Sequence, residues 1–225
     1  MKAVLKQYGF TAFILIAAVQ LAAIWFNIEA VRFFTKPLLM PVLALAVYGN
    51  SHSNKGLAII ITALLFSFAG DSFLLFDYLN PLYFIFGLVC FLITHILYII
   101  YFLGIKTAQP SLLKKYPWII LVVVAYGSGL VYFLYPALGD LRLPVIVYAI
   151  VICSMLLASL HVYSRVKAAA ARLFVAGALF FVISDSLLAI AKFKAAFPFA
   201  SILIMFTYCA AQYFIARGFV KAGKN

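Results

Sequence analysis

Two of the chain's five acidic residues, Asp71 and Asp185, lie inside long apolar segments rather than in the loops between them. Counting the helical rise from the nearest turn places each carboxylate roughly 10–12 Å deep in a membrane. Burying a charge in a membrane helix costs at least ~2.5–3.5 kcal/mol, whereas a hydrogen bond between membrane helices contributes only about 0.6 kcal/mol. Because helix cross-linking alone does not offset that cost, both aspartates are predicted to serve a function. The other acidic residues fall in predicted loops, where a solvated charge is ordinary: Glu29, Asp77 and Asp140.

The helical neighbours of the two aspartates are compatible with a shared cavity. Ser67 lies one turn before Asp71, and Ser184 directly precedes Asp185. Because small residues let membrane helices approach closely, we expect both carboxylates to face one internal cavity. Two carboxyl groups in a pocket of low dielectric repel when both are ionised, so one of them holds a proton at neutral pH. A neutral acid beside an anionic base is the arrangement that hydrolysis of an acid-labile bond requires.

Four further polar side chains lie at membrane depth: Gln20, His95, Tyr208 and Gln212. Gln20 matches the aspartates in depth, whereas His95 and Gln212 lie about 10 Å deeper and Tyr208 falls between. Alone, a glutamine or tyrosine in this position is more typical of a bridge between helices than of a catalyst. His95 is equally compatible with a packing role and a catalytic one. All four, with the two serines, are candidates for binding substrate or supporting the aspartates.

Lys36 belongs to a group of basic residues that are predicted to lie at the membrane surface above the aspartates. Long basic side chains at such positions often anchor a helix by reaching to the interface. They also bind the anionic phosphate of a lipid head group while its tail lies between helices. Both interpretations stay open for this group, whose other members are Arg32, Lys192 and Lys194.

The composition explains why these residues must act in a membrane. The chain is 68% hydrophobic and 10% charged, with a mean hydropathy of +1.18, whereas soluble domains are roughly 45–50% apolar and about 25% charged. A soluble enzyme, a nucleic-acid-binding domain and a disordered chain are therefore excluded. Cys90, Cys153 and Cys209 lie in apolar runs and are predicted to be core residues. Ligand-spaced His and Cys are absent, so neither a metal nor a cofactor is expected, and no Gly-x-Ser-x-Gly motif indicates a serine hydrolase.

Hydropathy predicts an all-α polytopic membrane protein with eight transmembrane helices, since about 20 apolar residues cross the hydrocarbon core. The second segment is short for a full crossing because Lys36-Pro37 opens it and Tyr48-Gly49-Asn50 closes it. The amino terminus shows no cleavage pattern, so the first span is expected to be retained. The predicted spans are 10–28, 36–49, 57–77, 81–103, 117–135, 143–163, 171–191 and 197–217.

Charge counting predicts that both termini are cytoplasmic. With eight spans, twelve Lys and Arg residues fall on the inner side and five on the outer side, in agreement with the positive-inside rule. We therefore expect a multi-pass protein of the cell membrane, the inner membrane in a bacterium. The inner set is Lys2, Lys6, Lys55, Lys106, Lys114, Lys115, Arg165, Lys167, Arg172, Arg217, Lys221 and Lys224, and the outer set is Arg32, Lys36, Arg142, Lys192 and Lys194.

The two aspartate segments resemble each other. Residues 66–74 and 180–188 both begin with Phe and end in Asp-Ser-x-Leu. Because they lie four crossings apart, their helices run in the same direction, which suggests a parallel 4+4 repeat. No appended soluble domain is predicted, so residues 1–225 are expected to form a single transmembrane bundle domain.

Five segments match, in this order, those of a known family: Thr35–Pro41, Ala63–Asp71, Phe91–Tyr98, Gly177–Ala189 and Tyr208–Gln212. On these segments the chain resembles the YhhN family of integral membrane proteins, which includes mammalian and bacterial lysoplasmalogenases. The resemblance implies a hydrolase that cleaves the vinyl ether bond of lysoplasmalogens and releases a fatty aldehyde and a glycerophospho-base. A lysophospholipid is therefore the expected substrate. For that reaction, our hypothesis is that Asp71 and Asp185 divide the acid and base roles, that Lys36 holds the phosphate, and that His95 tunes the site or relays a proton.

Three other functions compete with hydrolysis of an ether lipid. A proton-coupled transporter also uses paired intramembrane carboxylates. An intramembrane aspartyl protease uses two aspartates on neighbouring helices, but here Phe68 occupies the first glycine position of the expected Gly-x-Gly-Asp. A purely structural membrane protein would tolerate replacement of both aspartates.

Overall fold

A computed structural model describes residues 2–51 and 56–223, and within these ranges the regular structure is helical. Eight of the described helices are long and apolar enough to cross a membrane, which confirms the predicted all-α fold of eight spans. A short helix, α5 (Leu112–Lys115), and two 3₁₀ turns lie between spans. The spanning helices are α1 (Lys2–Trp25), α2 (Glu29–Asn50), α3 (Leu57–Leu74), α4 (Pro81–Leu103), α6 (Trp118–Leu134), α7 (Arg142–His161), α8 (Ala168–Phe193) and α9 (Ala200–Ala222).

The second span is long enough for a full crossing, so the expectation of a short segment between Lys36 and Asn50 was wrong. α2 has 22 residues and contains Pro37 and Pro41 in its interior rather than in its first turn. The charged residues Glu29 and Arg32 lower the hydropathy of the first two turns, although the backbone is already helical there. Such side chains reach the interface while their stems stay in the membrane. Interior prolines are tolerated in membrane helices because neighbouring groups satisfy the freed carbonyls.

The predicted placement of both termini in the cytoplasm, the 4+4 repeat and the single-domain organisation stay predictions. Lys55 and Lys224, which contribute to the charge count, lie outside the described residues.

The first of two compact units comprises Met1–Tyr101 and Phe219–Asn225. Here α1 packs on α2, and α2 packs on α3. A Cβ atom at Gly9 would lie 2.8 Å from the Cα atom of Ala46, so the α1 and α2 backbones approach closely there. α3 meets α4 where Gly70 faces the ring of Phe91, which would lie 2.8 Å from an added Cβ. Glycine therefore permits close packing directly beside Asp71.

The second unit comprises Phe102–Gly218. In it, α7 packs against both α6 and α8. An apolar cluster of Leu134, Leu138 and Val145, flanked by Ala189 and Ile190, joins the end of α6 to the start of α7 and the end of α8. This cluster packs the ends of α6 and α7 against α8, the helix that carries Asp185.

We predict that Gly177→Ala separates α8 from α9. An added Cβ would lie 2.9 Å from the Ala211 carbonyl oxygen and 3.0 Å from the Ile215 nitrogen, and backbone atoms cannot move aside cheaply. The free energy of unfolding should fall by about 1–3 kcal/mol, measured by SDS titration in mixed micelles.

Gly129→Ala is the matched control, because no atom lies within 4 Å of an added Cβ there. Replacing a helical glycine in open space should leave stability unchanged or raise it by up to about 1 kcal/mol. Equal unfolding curves for the two variants would contradict close α8–α9 packing at Gly177.

Candidate active site

Asp185 on α8 is held by a hydrogen bond from α7. The Tyr148 hydroxyl donates to Asp185 Oδ2 at 2.5 Å, a length typical of a bond from a hydroxyl to a carboxylate. Both residues are half-buried. Tyr148 lies six residues after the start of α7 and Asp185 eight residues before the end of α8, so both lie roughly 9–12 Å from the same end of the helices. The carboxylate is therefore satisfied by a partner at its own depth.

A second polar link lies one residue further along α8. The Ser186 hydroxyl donates to the Val182 carbonyl at 2.6 Å, and the Tyr126 hydroxyl on α6 lies 2.8 Å from the same serine oxygen. Because Ser186 has one proton and directs it to the carbonyl, Tyr126 is the donor in the second bond. Tyrosines from α6 and α7 thus bond to successive residues of α8.

A small cavity of about 40 Å³ lies beside these groups. Its polar lining includes Asp185, Tyr148, Tyr126 and Ser186, and most of the remaining lining is aliphatic or small: Gly127, Leu130, Val131, Leu134, Val145, Ala149, Ile152, Cys153, Val182 and Ala189. A carboxylate at the edge of an apolar cavity can exchange a proton with a lipid-like ligand or stabilise a positive charge on it.

Asp71 lies on α3 in the first unit and is only 2% exposed. One turn earlier, Ser67 is fully buried, and its hydroxyl lies 3.1 Å from that of Thr94 on α4. Thr94 also lies 3.1 Å from the carbonyl oxygens of Ala63 and Cys90. His95 follows Thr94 and is fully buried. A polar network between α3 and α4 therefore lies within one turn of Asp71.

Gln20 and Lys36 lie on the other two helices of the first unit. The Thr35 hydroxyl donates to Gln20 Oε1 at 2.5 Å, which joins α2 to α1. Gln20 is 2% exposed, whereas Lys36, which follows Thr35, is half-buried. The predicted bridging role of Gln20 is therefore present in the structure.

The remaining candidates lie in the second unit. The Ser184 hydroxyl donates to the Ile204 carbonyl on α9 at 3.1 Å. The Tyr208 ring packs edge-on against Phe181, with 5.8 Å between centroids, and Gln212 is fully buried. These three residues surround the α8–α9 contact. The predicted meeting of Asp71 and Asp185 in one cavity stays a prediction, as do the catalytic and binding roles.

Sequence reasoning missed Tyr148, Tyr126 and Thr94. The chain has 14 tyrosines, and nothing in the local pattern separates these two from the others. A depth comparison would have found Tyr148, because it lies at the level of Asp185 on a neighbouring span. Within residues 2–51 and 56–223, no group of three or more His, Cys, Asp or Glu side chains could hold a metal ion.

Eight helices long and apolar enough to cross a membrane, with carboxylates in α3 and α8, define a polytopic membrane protein with polar groups inside its helical segments. Residues 31–219 match the model of the YhhN family, and the chain belongs to this family. Every candidate site residue except Gln20 lies in the matched region. No solved structure matches the chain.

The chain is similar to several curated relatives. It is 36% identical over 172 residues to lysoplasmalogenase TMEM86A of Bos taurus, covering 72% of this chain and 65% of the relative. It is 33% identical over 178 residues to lysoplasmalogenase TMEM86B of Homo sapiens, covering 78% and 70%. A lysoplasmalogenase of Mycobacterium tuberculosis is 31% identical over 168 residues, covering 71% and 59%. The chain thus spans about two thirds of the length of the relatives it matches.

We predict that Tyr148→Phe is more destabilising than Tyr126→Phe. The first removes a hydrogen bond to a carboxylate, for which a loss of about 1.5–3 kcal/mol is expected, and the second removes one to a neutral hydroxyl, for which about 0.5–1.5 kcal/mol is expected. Unfolding by SDS titration at neutral pH measures both. A Tyr126→Phe loss equal to or larger than that of Tyr148→Phe would contradict the assignment of Tyr148 as the stabilising partner of Asp185.

Proposed function

We propose that this protein hydrolyses the vinyl ether bond of lysoplasmalogens. The observation that carries the proposal is the name shared by its relatives: mammalian and mycobacterial proteins at 31–36% identity are called lysoplasmalogenases. The position of Asp185 beside an apolar cavity at membrane depth supports it, because the substrate is a lipid and its reacting bond lies next to the head group. We place the protein in the cell membrane, with a lysophospholipid as its substrate.

The reaction needs an acid and a base but no strong nucleophile. The acid transfers a proton to the second carbon of the alkenyl chain, which leaves an oxocarbenium ion centred on the first carbon and the ether oxygen. Water attacks the first carbon and loses a proton to the base. The resulting hemiacetal breaks its bond to the glycerol oxygen, which takes up the hydroxyl proton, and a fatty aldehyde is released. The sum is the addition of one water molecule.

Asp71 and Asp185 divide the two roles in this proposal, with the assignment between them left open. A neutral carboxyl group donates the first proton, and a carboxylate stabilises the oxocarbenium ion and accepts the proton from water. Tyr148 holds Asp185 in one orientation through the bond to Oδ2. Lys36 binds the phosphate, and His95 relays protons or adjusts the charge near Asp71. Ser67 and Ser184, with Gln20, Tyr208 and Gln212, support the helices that carry these groups.

We predict that Asp71→Asn and Asp185→Asn each lower kcat about 10²–10⁴-fold, the range expected for removal of a general acid or base. Both variants keep the size and polarity of the side chain, so the protein should still fold and insert in membranes. Purified protein with lysoplasmalogen, monitored for aldehyde release, measures the effect. An ester-linked lysophospholipid serves as the control substrate.

Glu29→Gln is the control variant, because Glu29 is an exposed carboxylate in the first turn of α2. It should retain wild-type turnover. Near-normal rates in both aspartate variants would refute the mechanism. Lipid uptake into proteoliposomes without aldehyde release would refute the hydrolase and favour the proton-coupled transporter.

A further inference from the structure

A second cavity of the second unit lies between α6 and α7 and opens to the surroundings of the helices. It is a groove of about 680 Å³, within the roughly 300–1,000 Å³ of ordinary small-molecule sites. Tyr132 and Ile150 in its lining are 84% and 61% exposed. Because both helices are long and apolar enough to span a membrane, this exposure faces lipid. The groove is therefore accessible to a hydrocarbon chain from the bilayer.

The groove and the Asp185 cavity share part of their lining. Gly127, Val131, Ala149 and Cys153 face both spaces. A Cβ atom at Gly127 would lie 2.8 Å from the Cys153 sulfur, so α6 and α7 touch at this level. One layer of residues, which includes Gly127 and Ala149, therefore separates the groove from the Asp185 cavity. Because these residues are small, the path from the lipid to the Asp185 carboxylate is shortest there.

A cation lies at one end of the groove. Tyr135 belongs to the lining, and the Arg142 guanidinium lies 4.6 Å from the centre of its ring. Arg142 is exposed, and the only carboxylate within two residues of it in the chain is that of Asp140. Arg142 starts α7, and Tyr148 lies six residues further on, roughly 9 Å along the axis. An apolar groove that ends at an exposed guanidinium matches a single-chain lipid with a phosphate head group.

We propose that the α6–α7 groove is the docking and entry site for the alkenyl chain of the lysophospholipid. On entry the phosphate is drawn first to Arg142, ahead of its proposed binding by Lys36 during the reaction. The chain lies along the groove, and its first carbons pass between α6 and α7 at the level of Val131 and Ala149 to reach Asp185. The assignment of the chain as alkenyl depends on the proposed function. The docking of a single-chain phospholipid is tested separately from hydrolysis.

The proposal is tested by placing bulky side chains at residues that line the groove but not the Asp185 cavity. Ser128 on α6 and Ser154 on α7 line only the groove. Ser128→Trp and Ser154→Trp should each raise KM for a long-chain lysoplasmalogen at least 10-fold and leave kcat within 2-fold. Ala125→Trp is the matched control, because Ala125 is an exposed small residue of α6 that lines neither space, and it should leave both constants unchanged.

A binding readout separates docking from chemistry. The probe is a 1-alkyl lysophospholipid, whose saturated ether is not hydrolysed by the proposed reaction, with a diazirine near the end of its chain. After irradiation in phosphatidylcholine vesicles, the label should lie on α6 and α7 and should fall at least 10-fold in Ser128→Trp but not in Ala125→Trp. Ser154→Trp, on the other helix, provides the same comparison if Ser128→Trp does not fold.

The outcomes distinguish the two proposals. Label on other helices, or equal loss in Ala125→Trp, overturns the groove even if the wild-type protein releases aldehyde. Label in the groove without aldehyde release from lysoplasmalogen refutes the proposed function and leaves the docking site in place.

Discussion

The central constraint on this protein is that a carboxylate at membrane depth must find a hydrogen-bond donor within the protein. Water is absent from the hydrocarbon core, so an unsatisfied carboxylate there is costly. Asp185 meets this requirement through Tyr148. The bond requires α7 and α8 to lie close together at one level, and the apolar cluster around Leu134 and Val145 holds their ends in that position.

Small residues supply the close packing that such bonds need. Membrane helices gain no hydrophobic advantage from leaving lipid, so contact depends on dispersion, on hydrogen bonds and on backbones that can approach. Gly177 brings α8 to the backbone of α9, and Ser184 bonds across the same pair of helices about two turns further along. In the first unit, Gly70 lies against Phe91, and Ser67 meets Thr94 one turn away. In both units, one helix therefore uses a glycine for close approach and a polar residue for a hydrogen bond to the same neighbouring helix.

The number of spans was predictable because hydropathy depends only on the average polarity of a segment. The end of α3 was not predictable: the expected span ran to residue 77, whereas the helix ends at Leu74 and leaves Asp71 three residues, roughly 5 Å, from its end. The limits of α2 were not predictable either, since charges near its start lowered the average while the helix continued outward from Lys36 to Glu29. Tyr148 was missed for a different reason. A hydrogen-bond partner depends on how each helix is rotated about its axis, and an almost uniformly apolar segment carries little periodicity to set that rotation. Each aspartate could be identified from the sequence because charged residues are rare in membrane helices, whereas tyrosines are common there.

The sign of the charge at Asp185 bears on which bond the site would cleave. In vinyl ether hydrolysis the high-energy species is a cation, so a nearby carboxylate lowers its energy, most strongly where the local dielectric is low. In ester hydrolysis the high-energy species is an oxyanion, which the same carboxylate would repel. An oxyanion also requires preorganised donors, yet the Tyr148 hydroxyl is already directed to Asp185 and that of Tyr126 to Ser186. With Asp185 in the carboxylate role of the proposed mechanism, the site would therefore favour cleavage through a cation over cleavage through an anion. This preference would separate a vinyl ether lipid from its ester counterpart even though both have the same head group and chain.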